Sequence, residues 1–590
     1  MIMAFSYNNT FKVNSSIKKG PSYVSSDNSH NHFNPLLSFL KPNIKGIPQL
    51  SFQIDDVPKT IKNTFSKLLD VFVDSFFEFI DKPLLSSQSN FGPVEELGEA
   101  IAVSSIHGHI PSDFPEGVYI RNGPNPLFGG LKSTKSIFGR SSHIWVEGEG
   151  MLHALYFQKS SNHGTWTVIY NNKHVQTETY NLEKQRNKPL FLPAIEGNSL
   201  AILSAYLFNW LRSGKVNKYI SNTNVFEHSG KFYSIAESDM PQEIDILSLK
   251  TLKNWDLSAA WNRPFTSHPK KAPSTGELVT FGVEPTKPFL VVGIISADGK
   301  KLVHKVDLKL NRCSLVHDIG VTQRYNVIMD FPLTIDLNRL IRGGPLIKYN
   351  KKEYAKIGVM PRYGNANSIK WFEVEPNCTF HIINSFEEGD EVVVRGCRSL
   401  DSLIPEPDLS SNEFKCFSRC HEWRLNMQTG EVKEKDLCND KAVYMDFPII
   451  HENFVGIKNR YAYIQVVDPI SSSTQDGPKY RGLAKLYFEE SSTDICLSIR
   501  DKDEPIRMEY HMFEKNTFCN GSTFVPRDGG VEEDDGWIIT FVHNEDTNKS
   551  EVHIIDTQNL TGEAIAKIGM PCRVPYGFHG AFMPISFQDQ

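Results

Sequence analysis

Four widely separated histidines constrain the fold of this chain more than any other feature. His268, His317, His381 and His579 each interrupt a short apolar run, in the segments RPFTSHPKKA, CSLVHDIGV, NCTFHIINSF and VPYGFHGAF. Successive members lie 49, 64 and 198 residues apart, unlike the short, regular spacing of a structural zinc motif. A buried imidazole needs a partner for each ring nitrogen. A shared metal would satisfy one nitrogen of each ring, and it requires a fold that brings distant strands to a common axis.

The sequence beyond residue 100 predicts a β protein. Runs such as GVYIR, HALYF, FLVVGII and WIITFV alternate with turns rich in Gly, Pro and Asp, a pattern typical of many short strands. A Thr-Gly-Glu turn recurs between strand candidates at Thr275, Thr429 and Thr561. Repeated short strands over a chain of 590 residues favour a propeller with four strands in each blade.

Two helices are also predicted. The first lies between Pro58 and Pro83, where apolar residues recur at helical spacing. The second spans 199–212 and is expected to end at Ser213-Gly214. Its apolar stripe consists of Leu200, Leu203, Leu207, Trp210 and Leu211.

The stripe on the second helix has two interpretations. It can pack on the propeller, or it can lie in a membrane interface with the basic residues Arg212, Lys215 and Lys218 beside it. We expect the second, a peripheral membrane contact through 199–212.

Composition argues against several classes of protein. Lys and Arg number 63 against 69 Asp and Glu, a net charge of −6, so no nucleic-acid partner is expected. The nine cysteines form no CxxC pair, and none precedes Cys313, which indicates a reducing compartment rather than a disulfide framework. No run of about 20 apolar residues predicts a transmembrane helix.

Residues 1–54 differ from the rest of the chain. They are rich in Ser, Asn and Lys, and the first fifty contain no Arg and only one acidic residue, Asp27. A plastid transit peptide is one interpretation, and a plain disordered tail is the other. Residues 55–590 are expected to form the propeller, with an N-terminal helix and helical insertions.

The segments around the histidines resemble those of the carotenoid cleavage oxygenases. From about residue 75 to the C-terminus, YIRNGPNP, EGEGMLHAL, FTSHPK, LVHDIGVT, MPRYG, FHIINSFEEGDEVV and RVPYGFHGAF occur in that family's order. The resemblance implies an all-β fold, a seven-bladed β-propeller with a helical and loop-built dome over the iron-bearing face. It also implies that His268, His317, His381 and His579 bind Fe(II).

The chemistry of the site rests on this resemblance. By donor type alone, four imidazoles suit Zn, Fe, Cu or Ni. The family uses Fe(II) and O₂ to cut one C=C bond of a polyene into two carbonyl products, which implies a carotenoid or apocarotenoid substrate. Phe386 and Tyr576 are candidates for lining the substrate tunnel, with ordinary core packing as the alternative.

Carboxylates behind the ligands form a further part of the family pattern. Glu237, in YSIAESDMP, and Asp446, in YMDFPIIHENF, match two of them. In CNGSTFVPR, Gly521 stands where relatives carry a third, a Glu. We therefore expect one histidine to use water or a backbone carbonyl, and such a loss weakens metal affinity by about 10–100-fold.

The resemblance limits the reaction to a few candidates and does not select one of them. The leading hypothesis is 13,14 cleavage of an apo-10′-carotenoid, as in the zaxinone synthase branch, within a plastid. Alternatives are symmetric 9,10(9′,10′) cleavage of C40 carotenoids, a stilbenoid-cleaving or isomerising relative, and a non-catalytic propeller that binds lipid or protein. A cytosolic location is the alternative to the plastid.

Overall fold

The structure is a computed structural model that describes residues 59–81, 90–159, 165–257, 260–404, 417–438, 443–473, 477–489 and 505–587. The predictions for residues 1–54, and for Pro58 and Pro83, concern positions outside these ranges. Strands dominate the described part, which confirms the all-β prediction.

Helices are few. They are α1 (Lys59–Phe76), α2 (Glu178–Arg186), α3 (Ser199–Ser213) and α4 (Leu337–Ile341), with 3₁₀ turns at Ala366–Ser368 and Glu452–Phe454. The second predicted helix is α3, and Gly214 ends it with φ 76°, a conformation that glycine adopts readily. Within the described ranges, no helix combines the length and the apolar character needed to cross a membrane.

The strands are numbered in chain order. The first half of the chain contains β1 (Phe77–Phe79), β2 (Ile101–Ala102), β3 (Ile106–Gly108), β4 (Gly117–Pro124), β5 (Ser133–Ser136), β6 (Gly139–Ser142), β7 (Gly150–Lys159), β8 (Trp166–His174), β9 (Glu196–Gly197), β10 (Asn224–His228), β11 (Lys231–Ile235), β12 (Gln242–Ile244), β13 (Thr251–Asn254), β14 (Lys270–Lys271), β15 (Leu278–Val283), β16 (Leu290–Ile295), β17 (Leu302–Asp307) and β18 (Gly320–Val321). The second half contains β19 (Tyr325–Asp330), β20 (Leu333–Ile335), β21 (Ile347–Tyr349), β22 (Ala355–Pro361), β23 (Lys370–Val374), β24 (Cys378–Glu388), β25 (Glu391–Ser399), β26 (Arg419–Asn426), β27 (Val432–Asp436), β28 (Met445–Ile449), β29 (Tyr461–Ser473), β30 (Gly477–Tyr487), β31 (Arg507–Met512), β32 (Thr517–Pro526), β33 (Gly536–Asn544), β34 (Lys549–Asp556), β35 (Ala566–Gly569) and β36 (Gly580–Pro584).

Antiparallel sheets follow one another along the chain. Four-stranded sheets are β10–β11–β12–β13, β14–β15–β16–β17, β18–β19–β22–β23 and β24–β25–β26–β27. The C-terminal β36 completes a sheet with β4, β7, β8 and β2 from the N-terminal half, which closes the ring as a propeller does. Strands β28 to β35, together with β3, form one nine-stranded sheet. Its two halves are joined where β30 pairs with β32 through the single residue pair Tyr480–Cys519. Because this sheet is continuous, the count of seven blades stays a prediction.

One strand from each four-stranded unit, including β28 and β32 of the nine-stranded sheet, contacts its counterpart in the next unit. Contacts link successive strands: β14 with β18, β18 with β24, β24 with β28, β28 with β32, β32 with β36, and β36 with β10. The Thr-Gly-Glu turns join adjacent strands in three of the sheets, and Gly276 and Gly430 adopt positive φ there. The repeated turn therefore marks hairpins between adjacent strands, although the Thr275 hairpin joins the first two strands of its sheet and the Thr429 hairpin joins the last two.

The helices form a layer on one side of these sheets. Val73 and Phe77, at the end of α1, and Ile202 of α3 belong to one hydrophobic cluster with Val316 and Ile319. Those last two residues lie next to and two positions after His317, so the helical layer and a segment that carries a predicted ligand share one hydrophobic cluster.

Three of the five residues in the apolar stripe of α3, Leu200, Leu207 and Trp210, are exposed. Leu200 is 59% exposed and Trp210 is 40% exposed, while Ala201, Ile202 and Ala205 on the opposite side are buried. Leu203 of the same stripe packs against the buried cluster, so the stripe is only partly covered and the membrane contact stays a prediction.

All three basic residues beside α3 are paired with carboxylates, and Lys215 lies 2.9 Å from Glu178. Arg212 is buried and donates from Nε to Asp70 at 2.9 Å. Lys218 lies between Glu149 and Glu183, 2.7 Å from each carboxylate. Burial without such partners would cost more than a surface location, and neither Arg212 nor Lys218 can reach lipid headgroups while these pairs persist.

Candidate metal centre

The four predicted histidines meet at one point. One ring nitrogen from each of His268, His317, His381 and His579 lies within 4.8 Å of the others, and only His579 is less than fully buried. Nε2 of His317 is 2.9 Å from Nε2 of His268 and 3.3 Å from Nε2 of His381. Each histidine lies in or just before the first strand of a different sheet, namely β14, β18, β24 and β36. Residues separated by 49 to 198 positions therefore converge because equivalent strands face the same axis.

The donor set fits a metal ion. Ligands about 2.1 Å from a metal lie about 3 Å from each other at adjacent coordination positions, close to the two Nε2 separations. Burial, together with the neighbouring imidazoles, holds the pKa of His268, His317 and His579 well below the usual histidine value. These rings are therefore neutral near pH 7, and their nitrogen lone pairs are available to a cation.

Two carboxylates orient two of the rings. Glu237, which follows β11, contacts Nδ1 of His317, and Asp446 of β28 contacts Nδ1 of His381 at 2.6 Å. A carboxylate on Nδ1 retains the proton there and turns Nε2 towards the shared centre. Burial raises the pKa of Glu237 to about 7. Burial also acts on Asp446, but His381 outweighs it and lowers the pKa of that carboxyl.

Gly521 stands at the third carboxylate position of the family pattern, and its surroundings leave no room for a side chain. Gly521 has φ 66°, and a Cβ there would lie 2.3 Å from Cγ of Arg121. The Gly521 carbonyl accepts a hydrogen bond of 2.7 Å from the Tyr119 hydroxyl. A Glu at 521 would therefore require the buried Arg121 to move. In the described ranges no carboxylate contacts His579, and the expected water or carbonyl partner stays a prediction.

Asp318 is a site residue that the sequence reasoning missed. Its Oδ2 accepts from the backbone N of Ile382 at 2.9 Å, beside His381. Its Oδ1 lies 3.1 Å from Nζ of Lys270, two residues after His268. Asp318 itself follows His317, so one buried carboxylate connects three ligand-bearing segments. The only signal in the sequence is an acidic residue inside the apolar segment LVHDIGV.

Aromatic rings that the sequence reasoning also missed surround the cluster. The Phe447 ring centroid lies 4.9 Å from that of His381 and 4.7 Å from that of His579, and the Phe380 centroid lies 5.7 Å from that of His317. Phe447 adopts φ 56°, which turns it away from the regular strand path. Phe447 follows Asp446 directly, so its role depends on a local bend that residue periodicity does not encode.

A cavity adjoins the cluster through Phe447. It has a volume of about 380 Å³ including its open side, and its walls also contain Trp145, Phe578 and the predicted Tyr576. The predicted Phe386 is fully buried under Arg395, whose guanidinium carbon lies 4.9 Å from its ring centroid. Phe386 is not in the lining of this cavity, so its tunnel role stays a prediction.

Known proteins resemble this chain along most of its length. It is 31% identical over 551 residues to a carotenoid 9,10(9′,10′)-cleavage dioxygenase of Crocus sativus, covering 89% of this chain and 94% of the relative. It is 29% identical over 549 residues to a chloroplastic 9-cis-epoxycarotenoid dioxygenase of Oryza sativa subsp. japonica, covering 89% of each.

Solved structures share the fold. A lignostilbene dioxygenase of Pseudomonas brassicacearum superimposes with a TM-score of 0.70 at 22% identity, covering 85% of this chain and 99% of that one. A variant of the Synechocystis apocarotenoid oxygenase gives a TM-score of 0.67 at 22% identity, covering 85% and 100%.

The family model described as retinal pigment epithelial membrane protein matches residues 91–584. That range contains the four histidines, both carboxylates, Asp318 and the aromatic cavity. With this match and a relative more than 30% identical over most of both chains, the chain belongs to the carotenoid cleavage oxygenase family, the family of the retinal pigment epithelial membrane protein.

Proposed function

We propose that this protein is an Fe(II)-dependent dioxygenase that cleaves one C=C bond of an apocarotenoid or carotenoid into two carbonyl products. The observation that carries the proposal is a cluster of four converging imidazoles beside an aromatic cavity. His268, His317, His381 and His579 would hold the iron. Nitrogen donors alone would also accept other divalent metals, and the family membership favours iron.

The residues of the chain bind, orient and shield the reactants. Bound Fe(II) would supply the activation of O₂ for attack on the double bond. Glu237 and Asp446 keep the protons on Nδ1 of their histidines, so Nε2 stays available as a ligand. The Phe447 ring beside His381 and His579 gives a polyene an apolar surface and excludes water. Because adjacent double bonds in a polyene are about 2.5 Å apart, rigid positioning decides which bond is cut.

A second cavity suggests the route of the substrate. It has a volume of about 470 Å³ including its open side, with Phe79, Phe128 and Phe191 in its walls. Its lining also includes His143 and Glu147, which lie on either side of Trp145 in the chain, and Trp145 lines the cavity at the cluster. We infer one tunnel through both cavities, with the turn at 143–147 between them.

The mouth of this tunnel would lie at a membrane surface. Phe79 follows α1, and α1 and α3 together expose an apolar patch consisting of Leu68, Val71, Phe72, Phe76, Leu200, Leu207 and Trp210. Phe72 of α1 contacts Phe208 of α3, with ring centroids 5.3 Å apart, so the patch is continuous. Exposed apolar area of this kind is costly in water, and lipid hydrocarbon, where carotenoids dissolve, is the occupant that we propose.

The membrane proposal is tested by vesicle flotation. Replacing Leu200 and Trp210 with Glu should reduce binding to neutral phosphatidylcholine vesicles by at least tenfold, because two apolar side chains are removed and two charges added. Glu replacement at exposed Lys253, outside the patch, is the matched control. Undiminished flotation of the patch variant would reject lipid as the occupant.

The proposed cleavage has three candidate substrates. A 13,14 cleavage of an apo-10′-carotenoid in a plastid remains the leading specific hypothesis, and a relative named chloroplastic supports the location. Symmetric 9,10(9′,10′) cleavage of C40 carotenoids is the second candidate, supported by the relative with that named activity. A stilbenoid substrate is a third, since a neighbour in fold is a lignostilbene dioxygenase.

The decisive experiment measures iron and oxygen-dependent cleavage together. Protein loaded with Fe(II) under nitrogen should bind about one iron per chain, and admission of O₂ should bleach the polyene. Mass spectrometry of products from C27 and C40 substrates identifies the bond. His317→Ala should lose both iron and bleaching, while replacement of the surface His304 should lose neither. Iron binding without cleavage of any polyene or stilbenoid would leave a non-catalytic binding protein.

A further inference from the structure

The cavity at the histidine cluster contains two polar groups whose hydrogen-bonding capacity the described residues do not use. Asn520 and Tyr480 both line it and are buried, in walls that are otherwise mostly aromatic. A buried donor without an acceptor costs about 1–3 kcal/mol, so such groups in a binding cavity indicate a ligand atom that completes them.

The orientation of the Asn520 amide is determined by two donors. Its Oδ1 accepts from Nη1 of Arg121 at 2.9 Å and from the backbone N of Gly577 at 3.1 Å. Neither donor can accept a hydrogen bond in return, so the amide oxygen must face them. The amide nitrogen, Nδ2, then has no acceptor among the residues that the structure describes.

Tyr480 adds a second donor. It pairs across the sheet with Cys519, the neighbour of Asn520, and its hydroxyl has no partner in the described ranges. Its ring centroid lies 5.4 Å from that of Phe447, and Phe447 contacts His381 and His579. The unused donors therefore lie one aromatic ring away from the metal ligands.

Other polar groups of the cavity are already satisfied. The Tyr576 hydroxyl donates to Glu545 at 3.0 Å, and Nζ of Lys479 lies 2.9 Å from the same carboxylate. This pairing leaves no unpaired cation among these groups, which disfavours an anionic ligand such as a carboxylate. Two neutral donors in an apolar cavity instead match a neutral acceptor, and a carbonyl oxygen is the acceptor that carries no proton of its own.

We propose that Asn520 and Tyr480 are specificity-determining residues that bind a neutral carbonyl oxygen at the end of the polyene. This inference rests on the proposed function and deepens it, because it favours an apocarotenoid with an aldehyde or ketone end over a hydrocarbon carotenoid. It also places the oxygenated end of the substrate beside the metal centre.

The test compares a polyenal with a hydrocarbon polyene of equal conjugated length. Affinity is measured under nitrogen on Fe(II)-loaded protein by quenching of tryptophan fluorescence, since Trp145 lines the cavity. kcat/KM is then measured in air. Wild-type protein should prefer the polyenal by about tenfold or more in both measurements, because the hydrocarbon leaves both donors unpaired.

Two variants separate the donors from the fold. Asn520→Asp keeps an oxygen for Arg121 and Gly577 but removes the amide donor, and Tyr480→Phe removes only a hydroxyl. Each should lose most of the preference for the polyenal, and an unchanged melting temperature and Fe(II) content report that the variant is folded. Ser522→Ala is the control, because that hydroxyl contacts Thr540 at 2.7 Å and does not line the cavity.

The outcomes distinguish this inference from the proposed function. Equal use of both substrates by the wild-type protein, or a preference that survives in both variants, would overturn the carbonyl site and leave the dioxygenase standing. Failure of the wild-type protein to bind or cleave either polyene would overturn both.

Discussion

Asp318 holds three ligand-bearing segments together through a single side chain. Its carboxylate accepts the backbone N–H groups of Ile319 and Ile382, at 2.8 and 2.9 Å, and pairs with Lys270. These contacts position the backbone beside His317, His381 and His268 respectively, while Glu237 and Asp446 act on the rings themselves. The geometry of the centre therefore depends on a residue that contacts no metal ligand ring.

Replacing Asp318 with Asn tests this role. The amide keeps one acceptor oxygen but loses the charge and the second acceptor, so we expect Fe(II) affinity to fall by about tenfold or more while the chain still folds. Metal affinity is measured by anaerobic competition with a coloured chelator. Asp336→Asn is the matched control, since Asp336 also accepts two backbone N–H groups, of Asn338 and Arg339, at the start of α4. Equal affinity in both variants would contradict the role.

At Gly521 the fold requires the absence of a side chain. A Cβ there is strained by the positive φ and would overlap Arg121 at 2.3 Å, so we expect Gly521→Ala to destabilise the fold by about 2 kcal/mol or more. Gly230 has φ 75° with nothing within 4 Å, and Gly230→Ala should cost only about 1 kcal/mol. Calorimetric melting temperatures compare the two variants. A smaller decrease in melting temperature for Gly521→Ala than for Gly230→Ala would mean that the Arg121 side chain moves aside at little energetic cost.

At the scale of elements, one carboxylate ties α1 to the rest of the helical layer. Asp70 accepts from Arg212 of α3 at 2.9 Å and pairs with Arg186 of α2 at 2.7 Å. The Arg212 side chain is 2% exposed. Loss of its partner would leave a buried charge without compensation, and that penalty is larger than the value of a surface pair.

Asp70→Asn should therefore loosen α1. We expect a loss of about 1–3 kcal/mol, concentrated in the helical layer, because a charged hydrogen-bonded pair is broken. Hydrogen exchange followed by mass spectrometry should show faster exchange in 67–81 and in α3. Asp74→Asn, which removes an exposed pair with Lys188 on the same helix, should change exchange little, since surface pairs contribute about 0–1 kcal/mol. Similar hydrogen-exchange rates in both variants would contradict the role of Asp70 in holding α1 to α2 and α3.

The helices also illustrate where sequence patterns are incomplete. Spacing predicts the bounds of α3 to within one residue, 199–212 against Ser199–Ser213. The same spacing cannot say which side of the helix is covered, because apolar residues can face either a core or a lipid. Likewise, Arg212 and Lys218 look like surface cations in the sequence, but carboxylates from other segments bury them.

At the scale of the whole molecule, a metal ion held by the four histidines would link four sheets. Each ligand belongs to a different sheet, so a bound ion connects parts of the ring that are otherwise held by packing. Ligand binding to the native state alone stabilises it by about 2.7 kcal/mol at a free concentration one hundred times the Kd.

Removal of the metal should therefore lower the melting temperature. We expect a chelator to decrease the Tm of the Fe(II)-loaded protein and fresh Fe(II) to restore it under nitrogen, both read by scanning calorimetry. His381→Ala should show a reduced response, because one of four ligands is gone. The same chelator effect in the wild type and in His381→Ala would indicate that the stabilising ion binds elsewhere.

The sequence by itself determined the β class, the family and the four histidines that meet. Strand periodicity, turn residues and the segments around each histidine are local properties of the chain, so they can be read without coordinates. Glu237 and Asp446 were also identified in this way, through the order of the family's segments.

Only the tertiary structure decided which groups surround those histidines. The three contacts of Asp318, the position of Phe447, the burial of Arg121 over Gly521 and the unused donors of Asn520 and Tyr480 all join segments distant in sequence. Such contacts depend on strand register and on a few backbone angles at bends. Neither leaves a periodic signal along the chain, because the partner of each side chain is chosen by packing in three dimensions.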